Sequence, residues 1–216
     1  MTNTIESTTQ RIKQAGIISI LRGDYSAEDM LRIGKALLAG GVTVMEVTLN
    51  SPNALPALPQ LLKHFGDRLL IGAGTVRTSS QARHVIETGA QFLVSPNFDA
   101  ETVAIARSYG VLHLPGIYTA SEVQTAYMAG CRMVKLFPML DPLGPAYLKA
   151  LRGPFNDVDF MPTGGISLEN IADFARAGAV AVGVGGNLVR EPGQPDEEIT
   201  VRARALREAW DAARNA

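Results

Sequence analysis

Short apolar segments rich in β-branched residues alternate along this chain with longer segments whose apolar residues recur every three or four positions. The first pattern is typical of buried strands and the second of amphipathic helices. Eight strands are predicted, at residues 17–21, 42–49, 69–72, 92–95, 111–114, 133–137, 158–161 and 180–184. The helices between them have predicted N-caps at Ser26, Ser79, Asp99, Ser121 and Ser167.

Eight repeats of strand and helix with short connections predict parallel strands that are buried on both faces. The economical arrangement is an α/β fold, a (β/α)8 TIM barrel formed by residues 1–216 as a single domain. An extra N-terminal helix is expected below the barrel, before residue 16, and residues 195–216 are expected to form the eighth barrel helix. An open doubly wound sheet is the competing arrangement, but residues 21–24 lack the glycine spacing of a dinucleotide-binding loop.

Composition and charge argue against several classes of function. A formal net charge of −1 offers no basic excess for nucleic acid or for an anionic membrane. The polar start has no signal-peptide pattern, no apolar run could span a bilayer, and Cys131 has no second cysteine to bond with, so a cytoplasmic location is expected. The three histidines, His64, His84 and His113, have no partners at metal-ligand spacing, so no metal is expected.

Lys135 is a basic residue inside an apolar predicted strand. A buried ammonium is costly, and burial lowers the pKa of an amine. A neutral amine in a pocket is the nucleophile that forms an imine with a carbonyl. The alternative is a lysine at a strand end, with its ammonium in solvent or paired with a carboxylate.

Glu46 is the acidic counterpart, in another apolar strand. Strand alternation directs Glu46 and Thr48 inward and directs Met45 and Val47 toward the helices. Glu46 and Lys135 are compatible with a buried ion pair, and equally with a nucleophile and its proton shuttle. The residues alone leave both interpretations open.

Two glycine pairs follow the last two predicted strands, Gly164-Gly165 after the seventh and Gly185-Gly186 after the eighth. In many barrels the loops at these two places bind phosphate through backbone N–H groups, to which glycine allows a close approach. The pattern favours a phosphate site, and the alternative is that the glycines only turn the chain.

Seven motifs in register resemble the 2-keto-3-deoxy-6-phosphogluconate (KDPG) aldolase family. They are EVTL at 46–49, GAGTV at 72–76, SP at 95–96, PGI at 115–117, VKLFP at 134–138, GPF at 153–155 and PTGGI at 162–166. The likeness extends over about residues 17–189. It implies a metal-independent class I aldolase without a cofactor, a homotrimeric barrel that splits a phosphorylated 2-keto acid into pyruvate and glyceraldehyde 3-phosphate.

The resemblance also implies a role for individual residues. Lys135 would form the Schiff base and Glu46 would be the general acid and base. The remaining substrate contacts would come from Thr75 at the pyruvyl carboxylate, Pro96 and Phe137 at the pocket wall, Thr163 along the substrate, and Gly164 and Gly165 at the phosphate.

Two residues depart from the family pattern. Asn50 stands where many members carry an arginine that binds the carboxylate, and Arg22, at the end of the first strand, is the expected substitute. Gly186 stands where a phosphate-binding serine is common.

The substrate epimer is not decided by these residues. LRG at 21–23, LNSP at 49–52 and SPN at 95–97 resemble the sister 2-keto-3-deoxy-6-phosphogalactonate branch, whereas Thr163 favours the gluconate substrate, which we prefer. 4-Hydroxy-2-oxoglutarate is a further candidate substrate. Outside the aldolases, a phosphosugar isomerase or epimerase would retain the glycine pairs and Glu46, and a catalytically silent phosphate-binding barrel would need neither Lys135 nor Glu46.

Overall fold

The computed structural model describes residues 4–139 and 144–215, which alternate between strands and helices. The strands are β1 Ile17–Leu21, β2 Val44–Thr48, β3 Leu70–Gly74, β4 Phe92–Val94, β5 Leu112–Leu114, β6 Gly116–Ile117, β7 Met133–Leu136, β8 Asp159–Pro162 and β9 Val182–Val184. The helices are α1 Ile5–Ala15, α2 Ala27–Ala39, α3 Ala54–Phe65, α4 Ser79–Glu87, α5 Ala100–Ser108, α6 Ala120–Met128, α7 Gly144–Arg152, α8 Ile171–Arg176 and α9 Asp196–Arg214.

The strands form a closed parallel barrel. Six of them pair in the order β5-β4-β3-β2-β1-β9, and three pair in the order β6-β7-β8. The two sheets meet at both ends: a backbone bond joins Gly116 N to Asn97 O at 3.2 Å, and a bridge joins Thr163 to Gly183. The prediction of a (β/α)8 barrel is therefore confirmed.

Strand β2 illustrates how the apolar pattern builds two cores. Val44 belongs to the cluster inside the barrel, whereas Met45 and Val47 belong to the larger cluster between barrel and helices. The predicted inward direction of Glu46 is confirmed, because its carboxylate lies close to Gly74 on β3. Because side chains alternate between the two faces of a strand, Glu46 and Thr48 point inward like Val44. These two polar residues lie toward the C-terminal end of β2.

Helix α1 is the extra helix that was expected at the N-terminus. Thr4 and Ser7 form its capping box, and Ile12 is buried in the cluster inside the barrel. Lys13 on this helix forms an ion pair of 2.7 Å with Asp159 at the start of β8. The helix therefore lies against the N-terminal ends of the strands and leaves the opposite mouth open. Residues 1–3 and Ala216, which belong to the predicted terminal segments, lie outside the described residues.

The fifth predicted strand, at residues 111–114, corresponds to β5, and the structure adds a short strand, β6, that was not predicted. The two strands are separated by Pro115, which has no N–H group to donate to a neighbouring strand. Three predicted N-caps were wrong. Thr78 and Thr119 cap α4 and α6 in place of Ser79 and Ser121, and α8 begins after Asn170, not Ser167. In α4 and α6 the threonine hydroxyl accepts a hydrogen bond from the backbone N–H three residues ahead, as an N-cap requires.

Within residues 4–139 and 144–215, no helix combines the length and the apolar character needed to cross a membrane.

Candidate active site

Lys135 lies near the end of β7, paired with Gly116 on one side and Met161 on the other. The residue is 3% exposed. Its Nζ atom lies 4.7 Å from the centroid of the Phe137 ring, two residues further along the chain. The backbone N–H of Lys135 donates to Pro115 O at 2.9 Å, so the strand is held where the neighbouring strand is divided. The amine therefore faces the barrel mouth beside an aromatic wall.

Glu46 lies on β2 between Ile20 of β1 and Gly72 of β3. It is 1% exposed, and neither carboxylate oxygen accepts a hydrogen bond from the described residues. None of the ion pairs of the described residues joins Glu46 to Lys135. A buried carboxylate without a partner is costly, and such groups are concentrated at functional sites. The geometry disfavours the interpretation of Glu46 and Lys135 as a simple structural ion pair.

Burial shifts both titrating groups toward their neutral forms. It lowers the pKa of the Lys135 amine, an effect that the Glu46 carboxyl opposes and the Arg22 guanidinium reinforces. It raises the pKa of the Glu46 carboxyl, which the positive charges of Lys135 and Arg22 oppose. A neutral amine can attack a carbonyl, and a carboxyl whose neutral form is favoured can donate a proton as well as accept one.

Arg22 directly follows β1 and extends over the same mouth. The residues on both sides of it are anchored to β2 and its following turn: Thr48 Oγ1 donates to Leu21 O at 3.1 Å, and Gly23 N donates to Ser51 Oγ at 3.1 Å. The Arg22 Nη2 atom lies 3.5 Å from the Thr75 hydroxyl. The predicted neighbourhood of Arg22 and Thr75 is therefore present.

Thr75 has a left-handed backbone with φ of 58°, and no other non-glycine residue in the described ranges has a positive φ. This conformation is unfavourable for a β-branched residue and persists where the surroundings hold it. Gly74 O accepts from Leu49 N at 2.9 Å, and Val76 N donates to Val94 O at 3.1 Å. Both neighbours of Thr75 are thus tied to adjacent strands, and the strained residue is left to face the mouth.

Pro96 follows the buried Ser95, which comes directly after β4. The chain at Pro96 passes so close to β6 that a Cβ atom added to Gly116 would lie 2.3 Å from the Pro96 carbonyl carbon. Because Gly116 pairs with Lys135, Pro96 lies one strand away from the lysine. Ser95 Oγ lies 2.7 Å from His113 Nε2 on β5.

A cavity of about 290 Å³ opens at this mouth. Eight of the eleven predicted site residues line it: Arg22, Lys135, Phe137, Thr163, Gly164, Gly165, Gly185 and Gly186. Glu46, Thr75 and Pro96 do not line it. Glu46 lies inside the barrel, Thr75 is joined to the cavity through Arg22, and Pro96 lies beside β6.

The two glycine pairs meet at one end of this cavity. Gly164 and Gly165 have φ values of 98° and 67°, a backbone that side-chain-bearing residues rarely adopt. Gly186 has neither a positive φ nor any atom near the place where a Cβ would stand. The backbone conformation therefore requires glycine at 164 and 165, whereas at position 186 there is open space for a side chain.

Several residues of the cavity were missed by the sequence interpretation: Ile20, Ile166, Gly183, Asn187, Val189 and Arg190. Asn187 connects the two glycine-rich loops, because its Nδ2 atom donates to Ile166 O at 2.7 Å. Asn187 and Arg190 come shortly after Gly185-Gly186, so a longer predicted loop at this place would have included them. No local pattern marks the apolar members as part of a site.

In residues 4–139 and 144–215, no three histidine, cysteine, aspartate or glutamate side chains are grouped so as to hold a metal ion.

Comparisons with known proteins agree with this geometry. The family model described as KDPG and KHG aldolase matches residues 8–200. The chain is 36% identical over 195 residues to the 2-dehydro-3-deoxy-6-phosphogalactonate aldolase of Escherichia coli K12. The matched region covers 90% of this chain and 94% of that one. The chain is 41% identical over 174 residues to the 2-dehydro-3-deoxy-phosphogluconate aldolase of Pseudomonas aeruginosa, with 79% and 78% covered.

A solved structure has the same barrel. The KDPG aldolase of Legionella pneumophila, with pyruvate captured as a covalent carbinolamine intermediate, superposes with a TM-score of 0.79 at 32% identity, over 94% of this chain and 96% of that one. The barrel, the lysine and the glutamate buried within it, and the extent of these matches lead to one conclusion: the chain belongs to the KDPG and KHG aldolase family.

Proposed function

We propose that this protein is a class I aldolase that cleaves 2-keto-3-deoxy-6-phosphogluconate into pyruvate and D-glyceraldehyde 3-phosphate. The observation that carries the proposal is the Lys135 amine, buried at a cavity mouth with a lowered pKa and with the unpartnered Glu46 carboxyl inside the same barrel. A relative captured with pyruvate as a carbinolamine supports covalent chemistry of this kind.

The first half of the cycle forms the imine. The neutral Nζ of Lys135 attacks the C2 ketone, and the resulting carbinolamine loses its hydroxyl as water when Glu46 supplies a proton, directly or through water. The product is a protonated imine between Lys135 and C2. Arg22, beside Thr75, would hold the pyruvyl carboxylate, to which a guanidinium can donate two parallel hydrogen bonds.

The second half breaks the C3–C4 bond. The Glu46 carboxylate takes the C4 hydroxyl proton, C4 becomes the aldehyde carbon of glyceraldehyde 3-phosphate, and the bonding electrons move to the iminium to give an enamine. Protonation of C3 and addition of water to the imine then release pyruvate and restore the amine. The iminium is the electron sink, so the cycle requires no cofactor.

Borohydride trapping tests this proposal. Incubation with pyruvate and borohydride is expected to add one reduced pyruvyl group, which peptide mass spectrometry should locate on Lys135. Lys135→Arg should remain folded and fail to react, because a guanidinium stays protonated. Lys149→Arg, an exposed lysine on α7, is the matched control and should still be trapped. An adduct on another lysine would reject the assignment, and no adduct at all would favour the isomerase or epimerase alternative.

The gluconate substrate is part of the proposal, and the galactonate epimer and 4-hydroxy-2-oxoglutarate are its alternatives. Relatives named for both phosphorylated substrates match this chain. A pocket that hydrogen-bonds one C4 hydroxyl can discriminate strongly against the other epimer. Initial cleavage rates on the three compounds side by side would decide among them, and a higher kcat/KM for the galactonate would overturn our preference.

We retain two further predictions that the resemblance or the composition implies. The protein is expected to be a homotrimer, which light scattering on the purified chain would test. A cytoplasmic location is expected from the solitary Cys131, which cell fractionation would test.

A further inference from the structure

We propose that Arg190 is a specificity-determining residue that binds the substrate phosphate, and that it leaves Glu198 to do so. The inference rests on the proposed function, since it concerns the phosphate end of the same cavity. Three side chains that line this cavity are basic, Arg22, Lys135 and Arg190, and no acidic side chain of the described residues lines it.

Arg190 is the basic residue left for the phosphate. Lys135 must lose its charge to attack the ketone, and Arg22 lies beside Thr75, where the carboxylate is expected. Arg190 follows the turn of Gly185-Gly186, in which Leu188 N and Val189 N both donate to Gly185 O. The backbone donors of the glycine loops carry only partial charges, so the phosphate dianion lacks a full counter-charge without this residue.

The backbone of Arg190 is anchored, whereas its side chain is largely exposed. Its N–H donates to Gln194 Oε1 at 2.8 Å, and Gln194 is 4% exposed. The Gln194 carbonyl in turn accepts from Arg32 Nη1 at 2.7 Å, which ties the loop to α2. The Arg190 side chain itself is 59% exposed. The guanidinium can therefore change partners without movement of the loop.

Arg190 makes only a weak contact with its present partner, Glu198, which is also paired with Arg202. Arg190 Nη1 lies 3.5 Å from Glu198 Oε1, and the same oxygen is contacted more closely by Arg202 Nη2, one turn further along α9. An exposed pair at this distance contributes little, because water and salt screen it. When Arg190 turns toward a phosphate, Arg202 still neutralises Glu198. The phosphate offers the guanidinium a charge-assisted, two-pronged contact in exchange.

The test compares substrates with and without phosphate. The readout is the ratio of kcat/KM on 2-keto-3-deoxy-6-phosphogluconate to kcat/KM on 4-hydroxy-2-oxoglutarate. Arg190→Ala is expected to lower this ratio about tenfold, mainly through the KM of the phosphorylated substrate, the size expected for one exposed hydrogen bond to a charged group. Arg190→Lys, which keeps the charge and loses the fork, should give an intermediate ratio.

Two variants of the neighbouring residues complete the test. Arg202→Ala removes the other partner of Glu198 and does not line the cavity. Of the two arginines that contact Glu198 only Arg190 then remains, so this variant should lower the ratio by less than Arg190→Ala does. Glu198→Gln should raise the ratio, because Arg190 then has no competing carboxylate. Inhibition by inorganic phosphate should weaken in Arg190→Ala and strengthen in Glu198→Gln.

The outcomes separate this inference from the proposed function. An unchanged ratio in Arg190→Ala, with pyruvate still trapped on Lys135, would overturn the role of Arg190 alone. A ratio that falls equally in Arg202→Ala would show a general effect of surface charge and would also overturn it. Failure of the unmodified protein to trap pyruvate on Lys135 would overturn both.

Discussion

A Cβ atom at Gly74 would lie 2.5 Å from Oε1 of Glu46, so the carboxylate of β2 occupies space that only a glycine on β3 leaves free. The same added atom would lie 3.1 Å from Cγ2 of Thr48. Glu46 is therefore positioned by the absence of a side chain on the neighbouring strand, because no hydrogen bond from the described residues holds it.

Gly74→Ala is expected to displace the Glu46 carboxylate and to lower kcat by roughly 10- to 100-fold, since a displacement of about 1 Å can cost that much. Pyruvate release coupled to a dehydrogenase measures kcat, and thermal unfolding checks the fold. Gly153→Ala is the control, because its Cβ would meet only the Ala150 carbonyl oxygen, at 3.3 Å. Unchanged kcat in a folded Gly74→Ala variant would contradict this view of the pair.

Glu46→Gln is expected to lower kcat by roughly 10²–10⁴-fold, because the amide retains the shape of the side chain and cannot exchange protons. A variant that retains nearly full activity would show that Glu46 is not the proton shuttle.

The same variant should change how stability depends on pH. Burial raises the pKa of Glu46 above its ordinary value of 4.5, so between these two pKa values the folded chain holds a proton that the unfolded chain has lost. The contribution of Glu46 to the free energy of unfolding should therefore fall as pH rises through this window. Glu46→Gln has no carboxyl to titrate and lacks that loss. Relative to the unmodified protein, its free energy of unfolding should rise by about 1.4 kcal/mol for each pH unit of the window. Urea unfolding at pH 4 and pH 7 measures the difference, and an advantage of equal size at both would contradict a raised pKa.

Arg22→Ala is expected to weaken pyruvate capture about ten- to a hundredfold, the effect of losing a hydrogen bond to a charged group. The loss should be equal for substrates with and without phosphate, because all of them carry the carboxylate. Arg77→Ala, in the exposed loop after Thr75, is the control and should have a smaller effect. A defect confined to phosphorylated substrates would move Arg22 to the phosphate end of the cavity.

Gly186→Ser is expected to improve binding of phosphorylated substrates about fivefold, because a new hydroxyl at the phosphate end adds one ordinary hydrogen bond. The position tolerates a side chain, since no atom lies within 4 Å of the added Cβ. Gly164→Ser offers a contrast: its φ of 98° and the Met139 N–H group 3.2 Å from the added Cβ should make it destabilising. Equal KM values in Gly186→Ser and the unmodified protein would place the phosphate elsewhere.

His113 should make the fold sensitive to acid. Burial lowers its pKa from 6.5 to about 4, so below pH 6.5 the unfolded chain gains a proton that the folded chain does not. The contribution of His113 to the free energy of unfolding should therefore fall by about 3 kcal/mol as pH falls from 6.5 to 4. His113→Gln should remove most of this dependence, whereas His84→Gln, at an exposed position on α4, should retain it. Parallel curves for the two variants would contradict the lowered pKa.

Apolar periodicity along the chain determined the order and type of the barrel elements. Side chains repeat every two residues in a strand and every 3.6 residues in a helix, so the two kinds of element bury different positions. It also identified Lys135 and Glu46, since a charge within an apolar strand is visible without any tertiary contact. The glycine pairs were visible for the same local reason. The fifth predicted strand ended at residue 114, before Pro115, where the absent N–H group of proline favours a break, whereas the two-residue strand β6 beyond it was not predicted.

The tertiary structure decided what depends on groups far apart in the chain. That Glu46 fits against Gly74, with no ion pair to Lys135, follows from the register of three strands. The left-handed backbone of Thr75 is imposed by its neighbours' bonds to adjacent strands, against its own preference. Arg190 and Gly164 line one cavity only because the barrel closes between β8 and β9. Local patterns report the burial of single residues, whereas distances across a closed barrel depend on the packing of the whole chain.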